Sequence, residues 1–316
     1  MAQDSLLRPS GPEVDFGFEH EGFRRYINLT ARTSPLTFLE LAEAMHDTNE
    51  PVVTMGAASA LAELATRNVS VFTIKDCDVL LDKAEVLYAQ ASQQAEARLA
   101  TDPVELRGRR LGVALQAQLS LQHIPATRAV AHRTPEETPR QLQETYDNLM
   151  NFSGEVLAKR AVTNEHWRKA AYKGIISETL TSAILNKARD PKLFCIASSL
   201  RLNHHPFKPA RADLLAVNGN GTDRYFVPIQ VKSSHRFSDK GYHQTVLVHT
   251  SPDFRLADAE DCVDTLKYLH NCHRGAPRHR GKQRQIMNMT QALRERVSTF
   301  STSSAVQLGH AAVRDD

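Results

Sequence analysis

The segment YFVPIQVKSSHRF, residues 225–237, begins as a buried strand, yet it sets an amide, Gln230, two positions from an ammonium, Lys232. Side chains two apart on a strand share one face of a sheet. One face of this strand therefore carries both groups, while Val231 points the other way, into a core. Buried polar groups need partners, so the strand constrains what must lie beside it. Two runs with strand character precede it, LFCIASSL (193–200) and ADLLAV (212–217). The NGNG turn at 218–221 joins the second of these to the Gln230 strand and predicts an antiparallel pair. HQTVLVHT (243–250) reads as a fourth strand. Ahead of all four, residues 162–188 read as one long helix, with a Thr163/Asn164 cap region, Glu165 in its first turn and Pro191 as a stop.

The chain before this helix has a different character. Residues 1–16 hold Pro9, Gly11 and Pro12 with little periodicity and are expected to be loose. From 17 to 155 the apolar spacing is helical. Helices are expected in SPLTFLELAEAMHD (34–47), MGAASALAELATRN (55–68) and DCDVLLDKAEVLYAQASQQAEARLA (76–100). Two more are expected in PVELRGRRLGVALQAQLSLQ (103–122) and in residues 134–161, the last with a break near Ser153–Gly154. This half reads as a bundle or a repeat-like array. No clean 34-residue repeat is present. It holds no chemical constellation, so its expected role is to bind a protein partner or to stiffen the C-terminal domain.

Charge divides the same way. Residues 1–150 carry 14 Lys/Arg against 21 Asp/Glu, a balance of −7; residues 151–316 carry 25 against 15, a balance of +10. A basic second half suits a polyanion partner, although a solvated basic surface has the same composition. No apolar run approaches a membrane span. No basic segment followed by an apolar one opens the sequence, so no secretory signal is read. The four cysteines, Cys77, Cys195, Cys262 and Cys272, have no framework spacing. A reducing, cytoplasmic setting is expected.

Polar residues that do not belong inside mark the candidate chemistry. Glu178 lies on the long helix in line with Ala171, Gly174, Ile175, Ser182 and Leu185, a close-packing face. Asp213 opens the second strand run. If that run pairs with the Gln230 strand, Asp213, Gln230 and Lys232 meet at one spot, with Glu178 in reach from the helix. Oxygen donors of this kind suit Mg²⁺ or Mn²⁺. Asp213 would be the direct ligand, the Gln230 amide oxygen and the Val231 carbonyl neutral ligands, and Glu178 a direct or water-mediated one. Lys232 would orient the attacking water or stabilise charge on phosphorus. The alternative is structural: Gln230 and Lys232 on a half-exposed edge strand, Asp213 paired with Arg211 or Lys232, and Glu178 facing solvent.

The order Glu178, Asp213, then Gln230-x-Lys232, on helix–strand–strand–strand, resembles the PD-(D/E)xK nuclease superfamily. The glutamine form resembles its Mrr-like restriction-endonuclease branch. The resemblance covers about residues 160–270. It implies α+β architecture overall: the α-helical region, then a restriction-endonuclease-like mixed β-sheet flanked by helices over 156–298, then a disordered tail at 299–316. It also implies a Mg²⁺-dependent endonuclease acting most readily on double-stranded DNA. Double-strand cutting uses two active sites, which fits a homodimer. Two features depart from the pattern: Ala212, not proline, precedes Asp213, and Gln230 replaces an acid. Residues 233–243 are also short for the helix that the family sets before its fourth strand. Either HQTVLVHT extends a hairpin, or that helix comes later, at 256–270.

Lys208 and Arg211, with His204 and His205, precede the Asp213 strand and are candidates for the substrate groove. Arg274, Arg278, Arg280, Lys282 and Arg284 form an acid-free run that fits a phosphate-backbone clamp or a solvated loop. His270, Cys272 and His273 lack zinc-ligand spacing. The rival functional class is a non-catalytic nucleic-acid-binding adaptor whose helical half recruits a protein.

Overall fold

The computed structural model describes residues 49–67, 72–197, 213–219, 225–232 and 246–249. Six helices precede four strands among them: α1 (Pro51–Arg67), α2 (Ile74–Thr101), α3 (Val104–Gln122), α4 (Ile124–His132), α5 (Thr138–Val162), α6 (His166–Lys187), β1 (Leu193–Ala197), β2 (Leu214–Asn218), β3 (Tyr225–Lys232) and β4 (Val246–His249). This is a mixed α+β architecture, mostly helical. The helix expected at 34–47, those expected at 256–270 and 286–300, and both chain ends lie outside the described residues.

Each helix has a local cause. α2 starts on a capping box: Thr73 Oγ1 accepts from the Asp76 N–H at 3.2 Å, and Asp76 accepts from the Thr73 N–H at 2.9 Å. Its apolar positions Leu80, Ala84, Leu87, Tyr88 and Ala91 are all buried, against Ala57, Leu61 and Leu64 of α1. An ion-pair network fastens the same end of the bundle. Glu50, just before α1, takes Arg98 of α2 at 2.7 Å and Arg110 of α3, and Arg110 also reaches Asp102 at 2.6 Å.

Three details differ from expectation. α5 runs unbroken through Ser153–Gly154, because Ser153 is fully buried and an added Cβ at Gly154 would meet nothing, so the helix geometry is unstrained there. At α6 the N-cap is Glu165 rather than Thr163 or Asn164, and its carboxylate pairs with Arg168 one turn on, at 2.6 Å. The sequence also continues from α3 into α4, a nine-residue helix with Pro125 in its first turn, where no helix is expected.

The sheet has the order β1-β2-β3-β4. β1 and β2 pair antiparallel, as do β2 and β3, with Leu214 opposite Ile229. Gly219, at the NGNG turn, has a φ of 98°, which a side chain would strain. β4 runs parallel to β3, with Lys232 opposite His249. This excludes the hairpin alternative for HQTVLVHT, since a hairpin gives antiparallel neighbours; a parallel pair needs a crossover connection.

Alternation along the strands gives the sheet two apolar faces. On one, Leu193, Cys195, Leu214, Ala216, Ile229 and Val231 join a core with Leu111, Leu115 and Leu119 of α3, Leu149, Phe152 and Val156 of α5, and Ile175, Ile176 and Leu185 of α6. On the other, Phe194, Ile196, Leu215 and Val217 pack on Ala126, Ala129 and Val130 of α4 and Leu142 of α5. Burying each large side chain contributes about 1.5–3 kcal/mol. Residue 155 falls within α5, and the first core draws on both sides of it.

Candidate functional site

The site begins with strand pairing. The Asp213 N–H donates to the Ile229 carbonyl at 2.9 Å, which sets Asp213 one step before β2 and beside the last residues of β3. From there its carboxylate turns onto β3. Oδ2 accepts from the Val231 backbone N–H at 2.7 Å and from the Gln230 amide nitrogen. The expected meeting of Asp213 with Gln230 is therefore present. An ionised carboxylate can only accept hydrogen bonds, so Gln230 turns its nitrogen to Asp213 and its oxygen elsewhere. The Gln230 side chain is 3% exposed, and Oε1 has no hydrogen-bond partner among the described residues. At Val231 it is the N–H, not the carbonyl, that meets Asp213.

Glu178 approaches from α6, which packs on β1, β2 and β3. Ile175, Ser182 and Leu185, on its stripe, are buried, and Glu178 itself is half-buried. Its Oε2 accepts from Gln116 Nε2 of α3 at 2.7 Å. Sequence reasoning gave Gln116 no part; it lies 62 positions away, in the helical half. Lys232 ends β3, two positions past Gln230. Lys208, Arg211, Arg274, Arg278, Arg280, Lys282 and Arg284 lie outside the described residues, as do His204, His205, His270, Cys272 and His273.

The donors at this end of the sheet are oxygens: a carboxylate from Asp213, a buried amide oxygen without a partner from Gln230, and a carboxylate from Glu178 on the adjoining helix. That set fits a hard divalent cation better than zinc. Among the described residues no three His, Cys, Asp or Glu side chains cluster to hold a metal, so an amide must serve as a third donor. No family model, curated protein or solved structure matches this chain. No helix among the described residues is long and apolar enough to cross a membrane.

A buried polar relay ties this end of the fold to the helices. His123, between α3 and α4, has Nδ1 2.9 Å from the Leu119 carbonyl, which can only accept, so Nδ1 carries the proton. The bare Nε2 accepts from the Ser182 hydroxyl of α6. Ser182 Oγ accepts from Asn186 Nδ2 at 3.3 Å. Asn186 then bonds both backbone groups of Cys195 in β1: its Nδ2 donates to the carbonyl at 3.1 Å, and its Oδ1 accepts the N–H at 2.8 Å. Burial pushes His123 down to about 4, against the opposing pull of its hydrogen bond to the Leu119 carbonyl, and pushes the Cys195 thiol up to about 12. His123 and Ser182 are both fully buried, so this pair holds structure and meets no substrate.

Proposed function

We propose that this chain is a divalent-metal-dependent nuclease of the PD-(D/E)xK kind, a DNA endonuclease acting on double strands. One observation carries the reading: Asp213 and Gln230 meet at the end of a mixed sheet, with a partnerless amide oxygen buried beside a carboxylate. The element order supports it too, with Glu178 on the helix before the sheet and β4 parallel to β3. A bound Mg²⁺ or Mn²⁺ would neutralise charge on a phosphodiester and make a water acidic enough to attack near neutral pH. Asp213, Glu178 and the Gln230 Oε1 would hold the ion. For Oε1 to turn toward it, Gln230 must give up its amide bond to Asp213, so ion binding would reorganise this pair. Lys232 would assist the attacking water or stabilise the charge that builds on phosphorus. The basic residues of the second half would hold the nucleic-acid backbone.

A second reading has its own observation. Asp213 is engaged by two N–H donors, which also describes a carboxylate serving as a strand anchor in a non-catalytic nucleic-acid-binding adaptor. Cleavage of plasmid DNA and of RNA, with and without Mg²⁺ or Mn²⁺, separates the two. The nuclease reading expects metal-dependent cleavage that Asp213→Ala and Lys232→Ala abolish. Binding without cleavage, indifferent to metal, supports the adaptor.

A further inference from the structure

We infer that the helical half completes the metal site: Gln116 of α3 is a positioning residue for Glu178. The inference rests on the nuclease reading and extends it to a part of the chain that the Glu178–Asp213–Gln230–Lys232 pattern does not include. α3 packs along α6 through Leu111, Leu115 and Leu119, which lie in one core with Ile175, Ile176 and Leu185. Between these contacts the two half-buried polar residues meet, Gln116 Nε2 donating to Glu178 Oε2 at 2.7 Å. Because the carboxylate only accepts, the orientation of the Gln116 amide is fixed by chemistry. A hydrogen bond to a charged group is about twice as strong as one between neutral groups. Here it holds one Glu178 oxygen in a set place relative to α3, and so limits rotation of the carboxylate plane about its last torsion. A ligand held in this way meets an ion with less entropy to lose. Glutamine suits the task. A lysine or arginine at this place would compete with the cation for the carboxylate, whereas a neutral amide orients it and leaves its charge in place.

The test is metal titration of cleavage by the full chain. Gln116→Met keeps the length and bulk of the side chain and removes the donor. The half-saturating Mn²⁺ concentration is expected to rise about 10–100-fold, the usual effect of losing a partner behind a metal ligand. The rate at saturating Mn²⁺ should stay close to that of the natural chain, and so should the unfolding midpoint in EDTA. A rate reduced equally at every Mn²⁺ concentration, or an unchanged metal requirement, overturns the inference. Gln116→Asn, which is too short to reach Glu178, carries the same expectation if the methionine variant does not fold. Asp213→Ala, run alongside, keeps the two conclusions apart. If it abolishes cleavage while Gln116→Met behaves as the natural chain, only the role of Gln116 falls. If cleavage is absent from the natural chain or survives in Asp213→Ala, the nuclease reading falls and the role of Gln116 with it.

Discussion

Asn186 is the residue whose removal should disturb the junction of helices and sheet most. β1 stands at the edge of the described sheet, with Cys195 opposite Ala216 of β2. Both backbone groups of one residue in a strand point to the same side. At Cys195 that side looks away from β2, where a polar backbone would otherwise meet no protein partner. The Asn186 amide satisfies both groups, like a short extra strand, at 2.8 and 3.1 Å. Asn186 is fully buried, so water cannot take its place without local opening. Asn186→Ala orphans one donor and one acceptor, at about 1–3 kcal/mol each. The loss should be about 3 kcal/mol, after relaxation of the edge strand recovers part of that sum. At about 2–4 °C per kcal/mol for a domain of this size, Tm should fall by about 6–12 °C. Asn186→Leu should fare little better, since it restores bulk and no polar partner. Asn186→Asp should be the worst of the three, because it buries a charge and loses the donor to the Cys195 carbonyl. Calorimetric melting of the four proteins at neutral pH measures this. An alanine variant melting within about 1 °C of the natural chain would show that the edge backbone finds water instead, and would refute the argument.

Two further outcomes are expected from the buried polar groups. The folded state holds His123 near pKa 4 against an ordinary 6.5, so the unfolded chain binds the extra proton between those values. The stabilisation is full above about pH 6.5 and falls by roughly 3 kcal/mol as pH drops toward 4. Urea unfolding across that range should show a slope that His123→Gln loses, and identical slopes in the two proteins would contradict the burial argument. Arg110→Met removes the buried partner of Glu50 and Asp102, and should cost about 3 kcal/mol. Arg98→Met, at a side chain 31% exposed, should cost at most about 1 kcal/mol, and urea midpoints should rank the two in that order.

Periodicity and turn chemistry made much of the fold legible in the sequence. α1, α2, α3, α5 and α6 each carry an apolar stripe long enough to name a helix. NGNG fixes the β2–β3 register, which is why the meeting of Asp213 with Gln230 could be expected from the residues alone. α4 escaped because nine residues span too few turns for a stripe, and because its small side chains, Ala126 and Ala129, are shaped to a sheet face that lies elsewhere in the sequence. The His123–Ser182 contact and the Gln116–Glu178 contact each join residues about sixty positions apart. Nothing local marks a glutamine on a helix as the partner of a distant glutamate. The parallel pairing of β4 was equally hidden, since a strand of four residues, VLVH, carries no sign of direction. The unbroken α5 shows the converse: Ser153 and Gly154 look like a breaker in sequence, but a helix packed along its whole length tolerates both.

The nuclease reading turns on whether Asp213 stands at a metal-dependent phosphodiesterase centre. Its sharpest test is the conversion of supercoiled plasmid by the purified chain and by Asp213→Ala, each with Mg²⁺ and with excess EDTA. A metal-dependent centre at Asp213 predicts nicked or linear product from the natural chain with Mg²⁺ alone, and none from the variant under either condition. Equal conversion by the two proteins, or conversion that persists in EDTA, would contradict it.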